Sequence, residues 1–185
     1  MTILAILMGL IMLGVVGYLI GAYNNFVSLR AGIDSSWSDI DVQLKRRDNL
    51  IPALVETIKS YMKYEKESLT ELINQIHQTK QSSNLNDIIL HESQLNQSLS
   101  RVFTLSQNYP ELKVDTTFIN LQTQLSTIES DLQNARRYYN AIARDYNAKI
   151  DSFPDMFIAK EFGFTHANYF DIDEDIEKRI LKVGL

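Results

Sequence analysis

Residues 134–147 read NARRYYNAIARDYN, with two Tyr-Asn pairs, Tyr139-Asn140 and Tyr146-Asn147, set seven residues apart. Seven residues return a helical side chain to the same face two turns on, so Tyr139 and Tyr146 share a face. A coiled seam produces that spacing unaided. Aromatic residues on such a seam pack first, and the phenol oxygen seeks an edge or a hydrogen-bond partner. Asn140 and Asn147 stand one step round, where an amide can bond to a neighbouring helix and fix register. The stretch reads as packing within one long helix.

The periodicity extends in both directions. Upstream, Phe118, Leu121, Leu125, Ile128, Leu132 and Ala135 lead to Tyr139, and Ile142, Tyr146, Ile150 and Phe153 follow in steps of three or four. This predicts a helix starting near Thr116 or Thr117. Pro154 closes the run and starts a short helix, PDMFIAKEFGF, ended by Gly163. A shorter helix is expected before it, with Ile88, Leu95, Leu99, Val102 and Phe103 on one side. Asn108-Tyr109-Pro110 ends that helix, because the residue before proline is pushed out of helical geometry. Residues 78–86 are rich in Gln, Ser and Asn without periodicity, which predicts a loop or hairpin tip.

Earlier still, Phe26, Ile33, Trp37, Ile40, Leu44, Ile51, Leu54, Ile58, Tyr61, Leu72 and Ile76 follow three-and-four spacing, with Ile33, Ile40, Leu54 and Tyr61 on one heptad position and Trp37, Leu44, Ile51, Ile58 and Leu72 on the other. One helix running to about residue 76 is therefore expected. Pro52 falls inside it, but the apolar phase crosses the proline unbroken, which predicts a kinked continuous helix rather than two; the alternative is a helix that restarts with Asn49 as N-cap and Pro52 in its first turn. Arg47 and Glu65 fall on the seam, so each should be paired or reach the bundle edge. Trp37 is the expected packing centre.

Residues 3–22, ILAILMGLIMLGVVGYLIGA, carry no charge. At about 1.5 Å per residue, twenty residues cover about 30 Å, the thickness of a bilayer's hydrocarbon core. The run is expected to be a retained transmembrane anchor: no basic residue precedes it and Ile20-Gly21-Ala22 is a poor cleavage site. The chain has no cysteine, so lipid attachment through a lipobox cysteine is excluded. Arg30, Lys45, Arg46 and Arg47 follow the span, and the positive-inside tendency then places the rest in the cytoplasm.

Among 185 residues the net charge is −5, which argues against nucleic-acid binding, since phosphate neutralisation needs a basic face. Lys45, Arg46 and Arg47 form a candidate contact for anionic lipid or an acidic partner, set against the simpler reading of a solvated patch. Gly14, Gly17 and Gly21 form a candidate face for close helix packing, with a Gly-x-x-x-Gly match from Gly17 to Gly21.

Catalytic constellations are thin. There is no Gly-x-Ser-x-Gly elbow, and four of seven glycines lie in the apolar run, so no phosphate-cradling loop is formed. His77, His91 and His166 lie on different expected elements without ligand spacing. His91-Glu92 and Glu129-Ser130-Asp131 do not supply the pattern of a metal bundle. No catalytic residue, metal or cofactor is expected.

Several motifs together resemble LemA-family bacterial membrane proteins. They are YNNFVSLR at 23–30, SWSDIDVQLKRRDNLIPALVETIKSYMKYE from Ser36, YPELKVDTTFINLQTQL from Tyr109, RRYYNAIARDYNAKIDSFP from Arg136 and GFTHANYF ending at Phe170. The resemblance implies a bacterial one-span protein whose other part is an up-and-down bundle of long antiparallel helices, with no established reaction. Ala22 stands where similar proteins carry a lipobox cysteine. The expected fold class is all-α: a transmembrane anchor at 1–22, a coiled-coil-like antiparallel bundle at 23–170, and an acidic then basic tail at 171–185. The function expected is a non-enzymatic membrane-anchored scaffold in the bacterial inner membrane. Its expected partners are the lipid bilayer, further copies of itself and other proteins, but no nucleic acid. A membrane-shaping oligomer is the alternative, and an unrecognised hydrolase or metalloenzyme a distant third.

Overall fold

The computed structural model describes residues 1–62, 66–81 and 85–170, the side chains of residues 66, 77–81, 85 and 86 excepted. The protein is all-α, with six helices and no strand among the described residues. The helices are α1 (Thr2–Lys59), α2 (Lys66–Gln81), α3 (Leu85–Ser106), α4 (Pro110–Lys113), α5 (Thr116–Asp151) and α6 (Asp155–Phe162). Two compact units divide these elements. One comprises Met1–Asp39 and Ala135–Tyr169, and the other Ile40–Asn134 with Phe170.

In the second unit, α1 and α5 run antiparallel. Arg46 lies 3.8 Å from Asp131, while Tyr61, a turn past the end of α1, bonds Asp115 at the start of α5. Helix α3 follows the direction of α1, since Arg47 meets Glu92 and Asn96, and Phe103 lies against Phe118 at the far end. Helix α2 runs back between them, with Glu71 paired to Arg101. These four segments form an up-down-up-down bundle. Its core comprises Ile51, Leu54, Val55 and Ile58 of α1, Leu69, Leu72 and Ile76 of α2, Leu95, Leu99 and Val102 of α3, and Phe118, Leu121 and Leu125 of α5, with Met62 and Leu112. The three-and-four spacing puts these side chains on one stripe of each helix, and burying that stripe is what selects the bundle.

Pro52 lies inside α1 without ending it, so the chain does not restart at Asn49. The expectation of one helix to residue 76 is corrected: α1 ends at Lys59. No glycine or proline marks the stop. Ser60 Oγ donates to the Thr57 carbonyl at 3.0 Å, and the Tyr61 and Met62 amides both reach the Ile58 carbonyl, at 3.0 and 2.9 Å. Turning there buries Met62 and gives the Tyr61 hydroxyl its carboxylate partner. Tertiary gain thus overrides a heptad phase that continues by coincidence from Ile58 to Leu72. The expected loop at 78–86 also contracts, because α2 continues to Gln81 and α3 starts at Leu85. Residues 82–84 lie outside the described residues, as do Glu65 and the tail at 171–185.

Asp115 caps α5. Its Oδ1 accepts the Phe118 amide at 2.9 Å, satisfying a donor that the first turn leaves open. Gly163 closes α6 at φ +72°, and the Phe164 amide returns to the Ala159 carbonyl at 2.9 Å. A left-handed residue followed by a bond back across the turn is the glycine-terminated helix end the sequence predicted.

The first unit packs residues 22–33 of α1 against the second half of α5 and against α6. Ala22, Phe26, Tyr146, Ile150, Ile158 and Ala159 are its buried core. A Cβ placed on Gly32 would meet Ile142 Cγ2 at 3.6 Å, an ordinary contact. Trp37 is only half-buried, meeting Tyr139 edge to face at 5.8 Å, so it is not the packing centre expected. Phe153, expected on the α5 stripe, is 80% exposed because α5 ends two residues before it.

Candidate functional site

Arg47 enters the second unit's interior from α1 and is fully buried. Its Nη2 donates to Glu92 of α3, which is equally buried. Its Nη1 donates to Glu129 Oε1 of α5 at 3.2 Å and lies 3.5 Å from Asn96 Oδ1. Asp48 Oδ1 lies 4.0 Å away. Burial alone pulls against the charged guanidinium, but Glu92 and Glu129, with Asp48 behind them, outweigh it and hold Arg47 above its ordinary value. The cluster is an ion network built around a guanidinium that keeps its charge near neutrality.

This divides the Lys45-Arg46-Arg47 triplet. Lys45 and Arg46 remain exposed, bonding Asp41 at 2.5 Å and Gln43 at 2.9 Å. Arg47 as a lipid or acidic-partner contact is corrected: its side chain faces inward, as its seam position required. Glu92 was legible by the same logic, because it falls three residues before Leu95 and seven before Leu99 on the α3 stripe.

In the first unit, one residue of each Tyr-Asn pair, Tyr139 and Asn147, holds the segment that follows α6. Tyr139 donates its hydroxyl to the Asn168 carbonyl at 3.0 Å. Asn147 binds the Ala167 main chain twice: its Nδ2 donates to the carbonyl at 2.9 Å and its Oδ1 accepts the amide at 2.8 Å. The expected role for Asn147, bonding across to a helix, is corrected to bonding a strap. His166 lies 3.2 Å from Asp151 at the edge of the same strap. Phe164 stacks on Phe26 at 4.8 Å, and Tyr146 meets Phe26 edge to face at 6.3 Å. Burial raises the Tyr139 phenol, with Asp34 adding to it. Burial raises Tyr146 too, with Arg30 opposing. Both therefore stay protonated near neutrality, Tyr139 as a hydrogen-bond donor and Tyr146 as a packing surface.

Below the strap, Asp155 opens α6 and accepts from Tyr18 at 2.5 Å and from Lys149 at 2.6 Å. These bonds, Lys149 foremost, hold its carboxyl below the usual range. Lys149 Nζ also lies 5.2 Å from the Phe26 ring centroid. Among the described residues no group of three or more His, Asp and Glu side chains could hold a metal ion. The side chain of His77 is outside them. Around Gly14, Gly17 and Gly21 an added Cβ would meet nothing within 4 Å.

The bundle, its buried ion network and an apolar helix long enough to cross a membrane define a class: all-α proteins with a membrane-length amino-terminal helix. The sequence pattern of the LemA family matches residues 36–184, and the chain belongs to that family. It is similar to Magnetosome protein MamQ 2 of Paramagnetospirillum magneticum, at 24% identity over 174 residues, covering 80% of this chain and 64% of that one. It is also similar to Protein LemA of Metamycoplasma hominis, at 22% identity over 162 residues, covering 84% of this chain and 71% of that protein. The chain thus spans less than two thirds of the MamQ protein it matches. None of these names states a reaction.

Proposed function

We propose that the protein is a non-enzymatic scaffold anchored in a bacterial membrane by the first turns of α1, presenting its helical units to other proteins. The observation that carries this reading is the exposure of residues 3–20: every one is exposed, on a helix that continues unbroken to Lys59. Large apolar side chains left outside on all faces of a helix have the bilayer as their natural solvent. The described polar clusters are spent on structure, which favours binding over chemistry.

Orientation with the bundle in the cytoplasm follows from the basic residues after the span. The absence of cysteine makes the test clean: Ser130→Cys, on the exposed side of α5, should resist an impermeant thiol reagent in intact cells and label after lysis. Labelling in intact cells reverses the orientation, and extraction of the unmodified chain by alkaline carbonate overturns the anchor.

Self-association through Gly14, Gly17 and Gly21 is part of the proposal, supported by the open space around each. Gly17→Ile should reduce particle size in detergent, and an unchanged size removes this face. The membrane-shaping alternative rested on one helix to residue 76 and loses that support, since α1 ends at Lys59.

A further inference from the structure

We propose that α6 is a second membrane contact: an interfacial helix seated in the lipid headgroup layer beside the span, with Phe153, Met156 and Phe157 turned into it. This rests on the reading of α1 as a membrane anchor.

Helix α6 has two apolar faces and only one of them is used. Ile158 and Ala159 are buried against α1 and α5 residues. Met156 and Phe157 lie on the other side, 44% and 59% exposed, and Phe153, two residues before the helix, is 80% exposed. Phe153 and Phe157 meet edge to face at 6.0 Å, forming one apolar patch. Phe162 adds a further exposed ring at the helix end.

The position of α6 along α1 selects lipid as the occupant. Asp155 bonds Tyr18, in the last turn of the apolar run, and Phe162 packs on Tyr23 with ring centroids 4.9 Å apart. The helix therefore covers the stretch of α1 from residue 18 to residue 23. Five residues rise about 7.5 Å, comparable with one headgroup layer, which is about 5–7 Å deep. Tyrosine at such a level, with its ring in the boundary and its hydroxyl on a polar partner, follows the aromatic preference of membrane interfaces. The acidic start of α6 is compatible with that position, because Lys149 and Tyr18 both bond the Asp155 carboxylate. Lys160 and Glu161 stand exposed one turn after Met156 and Phe157 on the same side, at the end of α6 where Phe162 meets Tyr23 and away from the apolar run. A short helix with aromatic residues at the end nearer the span and charges at the end farther from it suits the membrane boundary.

The experiment uses the full chain reconstituted in phosphatidylcholine–phosphatidylglycerol bilayers, with single spin-labelled cysteines on the cysteine-free background. Met12→Cys, opposite the Gly14, Gly17 and Gly21 face, reports the hydrocarbon core and Ser130→Cys reports water. Phe153→Cys and Phe157→Cys replace exposed side chains, so the fold should survive. The ratio of oxygen to nickel-chelate collision at positions 153 and 157 should shift from the Ser130 value toward the Met12 value. Ratios equal to Ser130, with Met12 lipid-exposed, overturn the interfacial helix and leave the anchor standing. Shielding from both reagents means a protein covers the patch, which also overturns it. A water-like Met12 label overturns the anchor itself, and the α6 contact with it.

Discussion

Arg47 of α1 and Glu92 of α3, 45 residues apart in sequence, form an ion pair from which solvent is excluded on both sides. Desolvating both charges is costly, so the pair is held by geometry and by its further partners Glu129 and Asn96. Removing one partner is then expected to be far worse than removing both.

Glu92→Gln should lower unfolding stability by about 3 kcal/mol, because it leaves a buried guanidinium short of its nearest anion. Arg47→Met with Glu92→Met should lose much less, or gain about 1 kcal/mol, since well-packed apolar replacements of buried pairs are often neutral or better. Chemical denaturation of the full chain in detergent gives both values. A double variant as unstable as the single would show that the network, not burial, carries the stability.

The Tyr61–Asp115 bond should have a pH window with two edges. The Phe118 amide and then the Tyr61 hydroxyl depress the Asp115 carboxyl below 3.8, so its stabilisation is complete above that value and vanishes as pH falls through the depressed one. The same bond raises the Tyr61 phenol above 10.0, so its contribution is complete below that value and is lost as pH rises through the raised one. The melting-temperature gap between the unmodified chain and Asp115→Ala should be widest between these limits and shrink beyond either. A gap independent of pH would refute the assignment.

Asn147→Ala should release the strap without unfolding the bundle. The Ala167 amide and carbonyl both lose their partner, a loss of about 1–3 kcal/mol for partly buried groups. Hydrogen exchange at Ala167 should accelerate while amides in the middle of α5 keep their protection. Tyr139→Phe, which removes only the bond to Asn168, should have the smaller effect of about 1 kcal/mol.

Gly163→Ala isolates backbone strain. No atom lies within 4 Å of the added Cβ, so crowding plays no part, and the left-handed φ of +72° alone sets a cost of about 1 kcal/mol. Thermal melting measures it. Gly163→Asn should be milder, because asparagine tolerates this region better than alanine.

Much of the fold was legible because it obeys one rule. The stripe from Phe118 to Ile150 predicted α5, and the apolar phase through Pro52 predicted an unbroken α1. The stop at Lys59 was illegible, since no breaker stands there and the turn is selected by where Met62 and Tyr61 end up. The seam position of Arg47 called for a partner or the bundle edge; the partner is Glu92 on the α3 stripe, a residue weighed from the sequence only as a metal ligand. Asn147 was placed correctly on its helix but given the wrong partner. Its strap lies twenty residues away, in a segment without periodicity, and no local signal links the two.

Because Asn147 grips only the main chain of residue 167, nothing in that grip reads the side chain there. Replacements at Ala167 should meet only the packing limits of its surroundings, whereas the amide at 147 has no ready substitute. Length is constrained in the same way. A residue inserted between Gly163 and Ala167 would present the next peptide group to Asn147 and slide Phe164 off Phe26. The strap is thus a measured interval whose spelling is freer than its span.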